Sequence, residues 1–402
     1  MQAVILAAGK STRTYPLTLT KPKPLLKILN KPILAHLLDA MVECGVEETI
    51  VVVGYKKEML INYFGDSYKG MKLIYAEQRL GEDGQQLGTL HALHEVKHLL
   101  KDRFYVLYGD DLLHADDLKE SAKHKYSLIL METKTPERFG IAQIDENGFL
   151  ADIVEKPKQF IGNLASVGGF MFDKKIFDYP LEKNEGQKEY YIPDMLKKLC
   201  KKEKVMPLII KKYWLPTGYP WDLLNASEVM IKEIKESKIE GTVEDGAVIK
   251  GIAVIGKGTV VKAGSYIEGT VVIGENCVIG PNCYLRSGTV IGNNCKIGNA
   301  VEIKNSIIMD NTHVGHLSYV GDSVIGDSVN FGAGTITANL RHDDGNVKSS
   351  YNGILVDSGR RKLGAIIADN VHTGIHTSIY PGRKIFPNKA TMPGEVVKKD
   401  IE

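Results

Sequence analysis

This chain of 402 residues has no long apolar run. No segment approaches the roughly 20 consecutive apolar residues that a transmembrane helix needs. Met1 and Gln2 lead directly into a strand-like segment, which does not resemble a signal peptide. We therefore expect no membrane partner.

An excess of one charge and an even set of cysteines are also missing. The formal net charge is only +2, which gives no electrostatic reason to expect nucleic acid as a partner. The five cysteines are an odd number, and the spacing of Cys277, Cys283 and Cys295 matches no zinc motif. The odd number of cysteines favours a reducing, cytoplasmic setting.

A six-residue ladder of aliphatic side chains is the strongest pattern present. Its members are Val243, Ile249, Ile255, Val261, Ile267, Ile273, Ile279, Leu285, Ile291, Ile297, Ile303 and Met309. The ladder resumes at Ile367, Thr373, Ile379, Ile385 and Thr391. This period is typical of a hexapeptide solenoid in which three repeats form one coil. We predict a parallel β-helix with small residues, including the three cysteines above, in its interior.

The first 110 residues alternate between strand-like and helical patterns. Predicted strands are 2–8, 49–53, 72–76 and 104–108, and predicted helices begin at Pro32, Lys56 and Thr89. This alternation predicts an open, mostly parallel, Rossmann-like sheet with a ligand crevice at the carboxyl ends of its strands. The predicted fold class is therefore α/β plus all-β. The predicted domains are 1–228 and 242–402, joined by a helical linker at 229–241.

A cation-rich loop, Gly9-Lys10-Ser11-Thr12-Arg13, follows the first predicted strand. A P-loop would need glycine at Val4, and a dinucleotide fingerprint would need glycine at Ser11. Two interpretations remain. The loop wraps a triphosphate with its backbone N–H groups, Arg13 and Lys23, or it is a solvated basic loop.

Together with other motifs, this loop resembles the sugar-1-phosphate nucleotidylyltransferase family. The shared motifs are 6–13, Lys23-Pro24-Leu25-Leu26, Gln86-Leu87-Gly88-Thr89, Tyr108-Gly109-Asp110, Gly140, Glu155-Lys156-Pro157 and Glu189-Tyr190-Tyr191-Ile192-Pro193-Asp194. The resemblance implies a nucleotide site containing Leu6, Ala8, Gly9, Gln78, Gly88 and Thr89. It implies that Arg13 and Lys23 are catalytic cations and that Gly140, Glu155 and Lys156 hold the sugar phosphate.

The resemblance also implies a Mg²⁺ ion bound by Asp110. Family members commonly carry an acidic metal ligand where this chain has Pro216. Asp222 follows shortly afterwards and has two interpretations: it replaces that ligand, or it caps the helix that begins there.

On the predicted β-helix, Arg286 and Lys304 occupy the same repeat position, eighteen residues apart. We expect them to stack on successive coils, where an anion such as a sugar phosphate would offset their repulsion. The ladder is expected to break at 315–319, which places His316 beside this corner. The segment 340–361 is expected to be a basic, irregular excursion that reaches a neighbouring subunit.

At these positions the chain resembles the archaeal-type bifunctional glucosamine-1-phosphate N-acetyltransferase and N-acetylglucosamine-1-phosphate uridylyltransferase family, whose C-terminal domain is a left-handed β-helix. The resemblance implies that His316 is the general base, that Glu302 orients it, and that acetyl-CoA lies along the coils near the Ala333 N–H. The implied sugar-phosphate residues are Arg286, Lys304, Tyr319, Asn330, Asn339 and Lys348. The implied assembly is a homotrimer or a multiple of it.

Two other functions remain open at this point. One is a single-activity nucleotidylyltransferase that uses UTP or dTTP and whose β-helix is structural or regulatory. The other, motivated by Pro216, is a non-catalytic regulatory subunit that binds sugar nucleotides.

Overall fold

The computed structural model describes residues 1–81, 84–183 and 189–402. Its contacts divide it into two compact units. The sheet unit comprises Met1–Lys10 and Ile33–Pro216, and the β-helix unit comprises Ser11–Pro32 and Thr217–Glu402. The domain boundaries expected from the sequence stay a prediction, because the density of contacts does not measure independent folding.

The sheet unit is built on a ten-stranded sheet. The order across it is Leu150–Glu155, Gly140–Ile144, Leu164–Asp173, Arg103–Tyr108, Gln2–Leu6, Glu48–Val53, Met71–Glu77 and Ser67–Tyr68, with Ser127–Glu132 and Met206–Ile209 on a side branch. The strands Arg103–Tyr108, Gln2–Leu6, Glu48–Val53 and Met71–Glu77 run parallel, as their continuous apolar sequences predict. Their carboxyl ends therefore meet at one edge, where the loops of the predicted nucleotide site begin.

The helices of the sheet unit connect these strands. They are Ile33–Glu43, Lys57–Phe64, Thr89–Glu95, Ala115–Ser121 and Ile192–Leu199. Ile33–Glu43 begins directly after Pro32, and its apolar stripe of Ile33, Leu34, Leu37, Leu38 and Met41 is buried. Over the described residues, none of the helices has both the length and the apolar character to cross a bilayer.

The β-helix unit contains the predicted parallel β-helix and one helix, Asp222–Met230. The coil strands are Lys238–Ile239, Thr242–Val243, Val248–Ile255, Val260–Val261, Tyr266–Ile273, Val278–Ile279, Tyr284–Leu285, Val290–Ile291, Lys296–Asn299, Glu302–Lys304, Ile307–Ile308, His313–His316, Tyr319–Gly321, Val324–Ile325, Asn330–Phe331, Ile336–Thr337, Ile366–Ile367, Ser378–Ile379, Lys384–Ile385 and Val396–Val397. Most of the aliphatic ladder and the three cysteines are buried in one core, as predicted, with Val243 and Ile249 partly buried against it. The cysteines are therefore interior packing residues, and their thiols are free.

Before the excursion at 340–361, the coils differ from the predicted six-residue period at two places. Ile291 pairs with Ile308, which occupies the position expected for Met309, so one residue is missing after Ile303. Ile308 pairs with Ile325 and Val320 with Thr337, so a second residue is missing after Val320. The expected break at 315–319 is wrong, because His313–His316 pairs in register with the strands of the coils on both sides. The two shortened corners are closed by Asn305 and Asp322, both in the left-handed conformation.

The segment 340–361 is more regular than expected. Lys348–Tyr351 and Ile354–Asp357 form an antiparallel hairpin, which we call the arm. The hydroxyl of Ser349 donates to the carbonyl of Gly382 at 2.8 Å, so the base of the arm lies on a coil of its own chain. Ile354 and Leu355, at the far end, are exposed.

Candidate active sites

The residues predicted to bind the nucleotide in the sheet unit surround the end of the first strand. The Gln86 side chain donates to the Ala8 carbonyl at 2.8 Å, and the Gly109 N–H donates to the Leu6 carbonyl at 2.9 Å. A side chain at Gly54 would collide with the Ala8 carbonyl, 2.8 Å from its Cβ position. The backbone is thus closely packed around Ala8, and this packing fixes the start of the loop that begins at Gly9.

Gly88 can only be glycine at its position. Its φ is +97°, and a Cβ there would lie 2.5 Å from the Tyr190 carbonyl oxygen. The Gln78 amide donates to the Gly88 carbonyl at 3.2 Å, and Thr89 begins the next helix. The structure therefore brings together Gln78, Gly88 and Thr89, the three residues implied to contact the base, although their roles stay predictions.

The three residues predicted to hold the sugar phosphate also lie together. Gly140 pairs with Glu155 across two antiparallel strands, and a Cβ at Gly140 would meet the Glu155 carboxylate at 3.0 Å. The Lys156 ammonium is 3.4 Å from that carboxylate and 5.0 Å from the centre of the Tyr191 ring. Burial raises the pKa of Glu155 although Lys156 attracts the ionised form. A cation and a hydrogen-bonding carboxyl group beside a glycine whose position leaves no room for a side chain suit a sugar phosphate.

Asp110 lies in the turn after Arg103–Tyr108, and Asp111 is opposite Pro216 in a two-stranded pair. The Asp111 carboxylate accepts a hydrogen bond from the Trp214 indole at 3.1 Å. Sequence analysis overlooked this second carboxylate, because only pairing with Trp214–Pro216 shows that it faces the proline position. Within the described residues there is no cluster of three or more potential metal-binding side chains. Mg²⁺ needs only one or two carboxylates when phosphates supply further oxygens, so Asp110 fits such an ion chemically.

In the β-helix unit, Arg13 and Asp222 surround the same turn. The Arg13 guanidinium is 5.8 Å from the centre of the Tyr219 ring, which stacks on Trp221. The Asp222 carboxylate accepts from the Tyr219 N–H at 2.7 Å, whereas the N-cap residue of Asp222–Met230 is Trp221. Asp222 therefore closes the turn before the helix. Its predicted role as a metal ligand stays a prediction.

Arg286 and Lys304 are adjacent on successive coils, since Leu285 pairs with Ile303 immediately before them. Arg286 donates to the Glu302 carboxylate at 2.9 Å, which raises its pKa. Glu302 was implied to orient His316, but in this structure its carboxylate binds Arg286. The role of Glu302 stays a prediction.

The Asp322 carboxylate organises this corner and was missed by sequence analysis. It accepts from the amides of Asn305 at 2.8 Å and Asn339 at 2.6 Å, and the Lys304 ammonium is 3.6 Å away. The Asn339 amide also donates to the Tyr319 hydroxyl at 3.2 Å. Asp322 is 2% exposed, so water screens its carboxylate poorly and its attraction for neighbouring cations is stronger than at the surface. Its position follows from the two shortened corners, whose length the six-residue pattern does not predict.

Two further cations, Arg360 and Lys362, follow the arm in the chain and lie at this corner. Arg360 is 3.9 Å from Asp322 and also pairs with Glu228. Lys304 lies close enough to Lys362 to lower the pKa of that lysine by repulsion. Lys362 was not predicted, because a long excursion separates it from the ladder. The corner thus combines Lys304 and Lys362 with Tyr319 and Asn339, a set suited to a sugar phosphate.

His316 is exposed at the end of the strand that precedes Tyr319. The Gly334 N–H donates to its carbonyl at 3.2 Å, so Ala333 is on the next coil beside it. Asn330 instead pairs with His313 and His372, and Lys348 lies in the arm beside Arg383. Within this chain, the structure groups His316 with Ala333. Asn330 and Lys348 contact other parts of the coil surface.

Comparisons with known proteins cover the whole chain. Residues 2–233 match the family model described as nucleotidyl transferase, and residues 267–399 match that of the GMPPB C-terminal domain. The chain is 42% identical to the bifunctional protein GlmU of Methanocaldococcus jannaschii and 45% identical to that of Methanococcus maripaludis strain C7, covering 100% of this chain and 96% of each relative. It is 35% identical to the bifunctional sugar-1-phosphate nucleotidylyltransferase/acetyltransferase of Sulfurisphaera tokodaii, covering 100% of this chain and 98% of that protein.

A solved structure of a putative glucose-1-phosphate thymidylyltransferase from Bacillus anthracis has a TM-score of 0.52 and 24% identity. It covers 59% of this chain and 98% of that one, and the likeness concerns the fold alone. The full-length relatives are more informative, because they extend over both the sheet unit and the β-helix unit. This chain belongs to the family of bifunctional GlmU proteins.

Proposed function

We propose that this protein is a two-site transferase of UDP-N-acetylglucosamine synthesis. It acetylates glucosamine-1-phosphate with acetyl-CoA and then couples the product to UTP, releasing pyrophosphate. The observation that carries the proposal is the corner where Lys304, Lys362, Tyr319 and Asn339 gather around Asp322, on the coil that also carries His316. A purely structural β-helix has no need for cations held against each other.

Acetyl transfer requires a free amine on the sugar. Most of the amine is protonated at neutral pH, and an exposed histidine such as His316 can take this proton. The amine nitrogen then bonds to the thioester carbon, and the carbon–sulfur bond breaks as CoA leaves. Arg286, Lys304 and Lys362 bind the sugar phosphate, and the Ala333 N–H stabilises the oxyanion.

Nucleotidyl transfer requires positive charge around the phosphates of UTP. An oxygen of the sugar phosphate attacks the α-phosphorus, and pyrophosphate leaves from the opposite side. Lys23 and Arg13 stabilise the charge that develops on the phosphoryl oxygens. Gly140, Glu155 and Lys156 hold the attacking sugar phosphate. Asp110 would hold Mg²⁺, which supplies further charge stabilisation when it is bound.

We also propose a homotrimer or a multiple of it. Asn330 and Lys348 contact coil surfaces away from Tyr319 in their own chain, so a neighbouring chain is needed to bring them to the acetyl site. The exposed Ile354 and Leu355 of the arm are suited to such a contact. Light scattering should show a trimer or hexamer. A fully active monomer at all concentrations would contradict this assembly.

One incubation tests the proposed function. The protein is mixed with glucosamine-1-phosphate, acetyl-CoA, UTP and Mg²⁺, and the products are identified by mass spectrometry. UDP-N-acetylglucosamine and pyrophosphate are expected. Transfer from N-acetylglucosamine-1-phosphate without any acetylation would favour the single-activity enzyme, and no product from either sugar would favour the regulatory subunit.

A further inference from the structure

Arg13 and Lys23, the two cations proposed for nucleotidyl transfer, lie on a segment that packs against the β-helix. This segment, Ser11–Pro32, is part of the β-helix unit. Its regular structure is limited to short turns, at Thr12–Thr14, Leu17–Leu19 and Lys23–Leu25, and one two-residue strand pair. Short 3₁₀ turns have few internal hydrogen bonds. The conformation of the segment therefore depends on the surface beneath it.

That surface carries a ladder of side-chain acceptors at one corner of successive coils. The Asp310 carboxylate accepts from the Asn293 N–H at 2.9 Å, and the Asp327 carboxylate accepts from the Asp310 N–H at 2.9 Å. The Asp369 carboxylate accepts from the Asp327 N–H at 2.8 Å. We call Asp310, Asp327 and Asp369 the aspartate ladder. One oxygen of each carboxylate is thus bound to the preceding coil.

The other oxygen of each carboxylate holds the segment. The Lys27 ammonium pairs with Asp310, and the Lys21 ammonium pairs with Asp327 and lies 3.0 Å from Asp369. The Thr20 hydroxyl donates to that same Asp369 oxygen at 2.7 Å. Each ladder carboxylate therefore joins a coil to the segment that carries Lys23.

Lys21 is a buried contact and not a surface ion pair. Its side chain is 10% exposed, as is that of Asp369. Burial lowers the pKa of Lys21, but the attraction of Asp327 and Asp369 outweighs it and raises the pKa above its ordinary value. Burial also raises the pKa of Asp327, which opposes the pairing. Because two carboxylates face the one ammonium, we infer that Lys21 is protonated and that its positive charge pairs with Asp327 and Asp369.

The segment is also held near Arg13. Lys384 is 3% exposed, and its ammonium donates to the Tyr15 carbonyl at 3.0 Å and to the Ser350 carbonyl of the arm at 2.6 Å. The Asn30 amide donates to the Ile291 carbonyl at 2.7 Å. Anchors thus occur on both sides of Lys23, and one lies two residues beyond Arg13.

We propose that the aspartate ladder positions Arg13 and Lys23 for nucleotidyl transfer, so that Lys21, Asp327 and Asp369 are positioning residues for that reaction. The inference rests on the proposed function. Electrostatic stabilisation of a transferring phosphoryl group depends on fixed placement, and a misplacement of about 1 Å can cost about 100-fold in rate. The β-helix would then serve the nucleotidyl reaction as well as the acetyl reaction.

The double variant Asp327→Asn/Asp369→Asn in the full-length protein tests this proposal. Asparagine keeps an oxygen for each N–H of the ladder but removes the charges that pair with Lys21. We expect kcat of uridylyl transfer to fall about 10- to 100-fold. KM for N-acetylglucosamine-1-phosphate should stay unchanged, because Gly140, Glu155 and Lys156 belong to the sheet unit. Acetyl transfer should also stay unchanged.

Two controls separate positioning from folding. Asp245→Asn removes an exposed carboxylate elsewhere on the β-helix and should have no effect. Lys21→Arg keeps the charge and should retain most uridylyl activity, whereas Lys21→Met should behave like the double variant. Thermal unfolding and acetyl transfer show in each case whether the β-helix is intact.

Unchanged uridylyl kcat in the double variant would overturn the inference while leaving the proposed function in place. An equal fall in both activities, with a lower unfolding midpoint, would also overturn it, because the ladder would then only stabilise the β-helix. A wild-type protein with no uridylyl transfer would refute the proposed function, and this inference with it.

Discussion

The two compact units bring their site residues together in different ways. In the sheet unit, Gly140 meets Glu155 through antiparallel pairing, and Gln78 reaches Gly88 across a loop, with no common sequence spacing. In the β-helix unit, neighbours recur after one coil, as Leu285 and Ile303 do. A side chain on a coil therefore has partners that the period predicts. A side chain at the sheet edge has partners that depend on the whole connection between strands.

Within the β-helix unit, the six-residue period predicts side-chain neighbours only where the coils are regular. Where the period is intact, Arg286 and Lys304 stack as expected. Where two successive coils are each one residue shorter, Asn305 and Asp322 come together and organise polar groups that the period does not predict. Departures from the repeat are therefore the places to search for chemistry on a solenoid.

The largest expected effect separates the two reactions through His316. His316→Ala should lower kcat of acetyl transfer by about 10²- to 10⁴-fold, the usual contribution of a general base. Uridylyl transfer from N-acetylglucosamine-1-phosphate should be unchanged. Separate assays of CoA release and pyrophosphate release measure the two. Acetyl transfer within a few-fold of wild type would remove His316 from the role of base.

The reciprocal change is Lys23→Ala. Uridylyl transfer should fall by about 10²- to 10³-fold, as expected when a preorganised charge is removed from a phosphoryl transition state. Acetyl transfer should be retained. Assays of pyrophosphate release and of CoA release measure the rates of uridylyl transfer and acetyl transfer, respectively. Loss of both activities would show that the segment Ser11–Pro32 is needed for the stability of the β-helix unit.

The metal requirement distinguishes two aspartates of different units. Asp110→Asn should lower uridylyl transfer at least tenfold and raise the Mg²⁺ concentration for half-maximal rate, since a Mg²⁺ site has few protein carboxylates. Asp222→Asn should lower the unfolding midpoint, because its carboxylate accepts from the Tyr219 N–H. A shifted Mg²⁺ titration in Asp222→Asn, with unchanged stability, would instead identify it as a ligand.

A smaller effect is expected from Asp322→Asn at the acetyl corner. The amide cannot offset the charges of Lys304 and Arg360, so these two side chains should move relative to the bound sugar phosphate. We therefore expect kcat/KM of acetyl transfer to fall about tenfold. Asp343→Asn, which removes an exposed carboxylate paired with Arg341 in the segment before the arm, is a matched control. An unchanged kcat/KM in Asp322→Asn would show that Asn305 and Asn339 keep the corner in place without the charge.

A further effect concerns folding stability at alkaline pH, and it involves neither reaction. Burial lowers the pKa of Lys384 to about 8, well below its ordinary value of 10.5. Between these values the unfolded chain binds more protons than the folded chain, so the contribution of Lys384 to stability rises with pH by about 3 kcal/mol in total. Urea unfolding from pH 7.5 to 10 should show this slope, and Lys384→Met should remove it. The exposed Lys257→Met should leave the slope unchanged.

Several residues predicted for the nucleotidyl site lie close together because short motifs keep their local geometry, although their roles stay predictions. Gly88 needs a positive φ, and the parallel strands bring Leu6 and Gly109 to the same edge of the sheet. Asp111 was missed because its position opposite Pro216 comes from pairing with a strand about a hundred residues later. Glu302 was assigned to His316, but the structure pairs it with Arg286, since an exposed guanidinium lies one coil away.

By itself, the sequence determined the parallel β-helix, the buried ladder and the stacking of Arg286 on Lys304. These follow from a short period in which each residue meets its equivalent on the next coil. Only the tertiary structure decided that Asp322 gathers Lys304, Asn339 and Asn305, and that the ladder of Asp310, Asp327 and Asp369 holds Lys21 and Lys27. Those contacts join residues up to about 350 positions apart, and no local pattern specifies which distant lysine a carboxylate will meet.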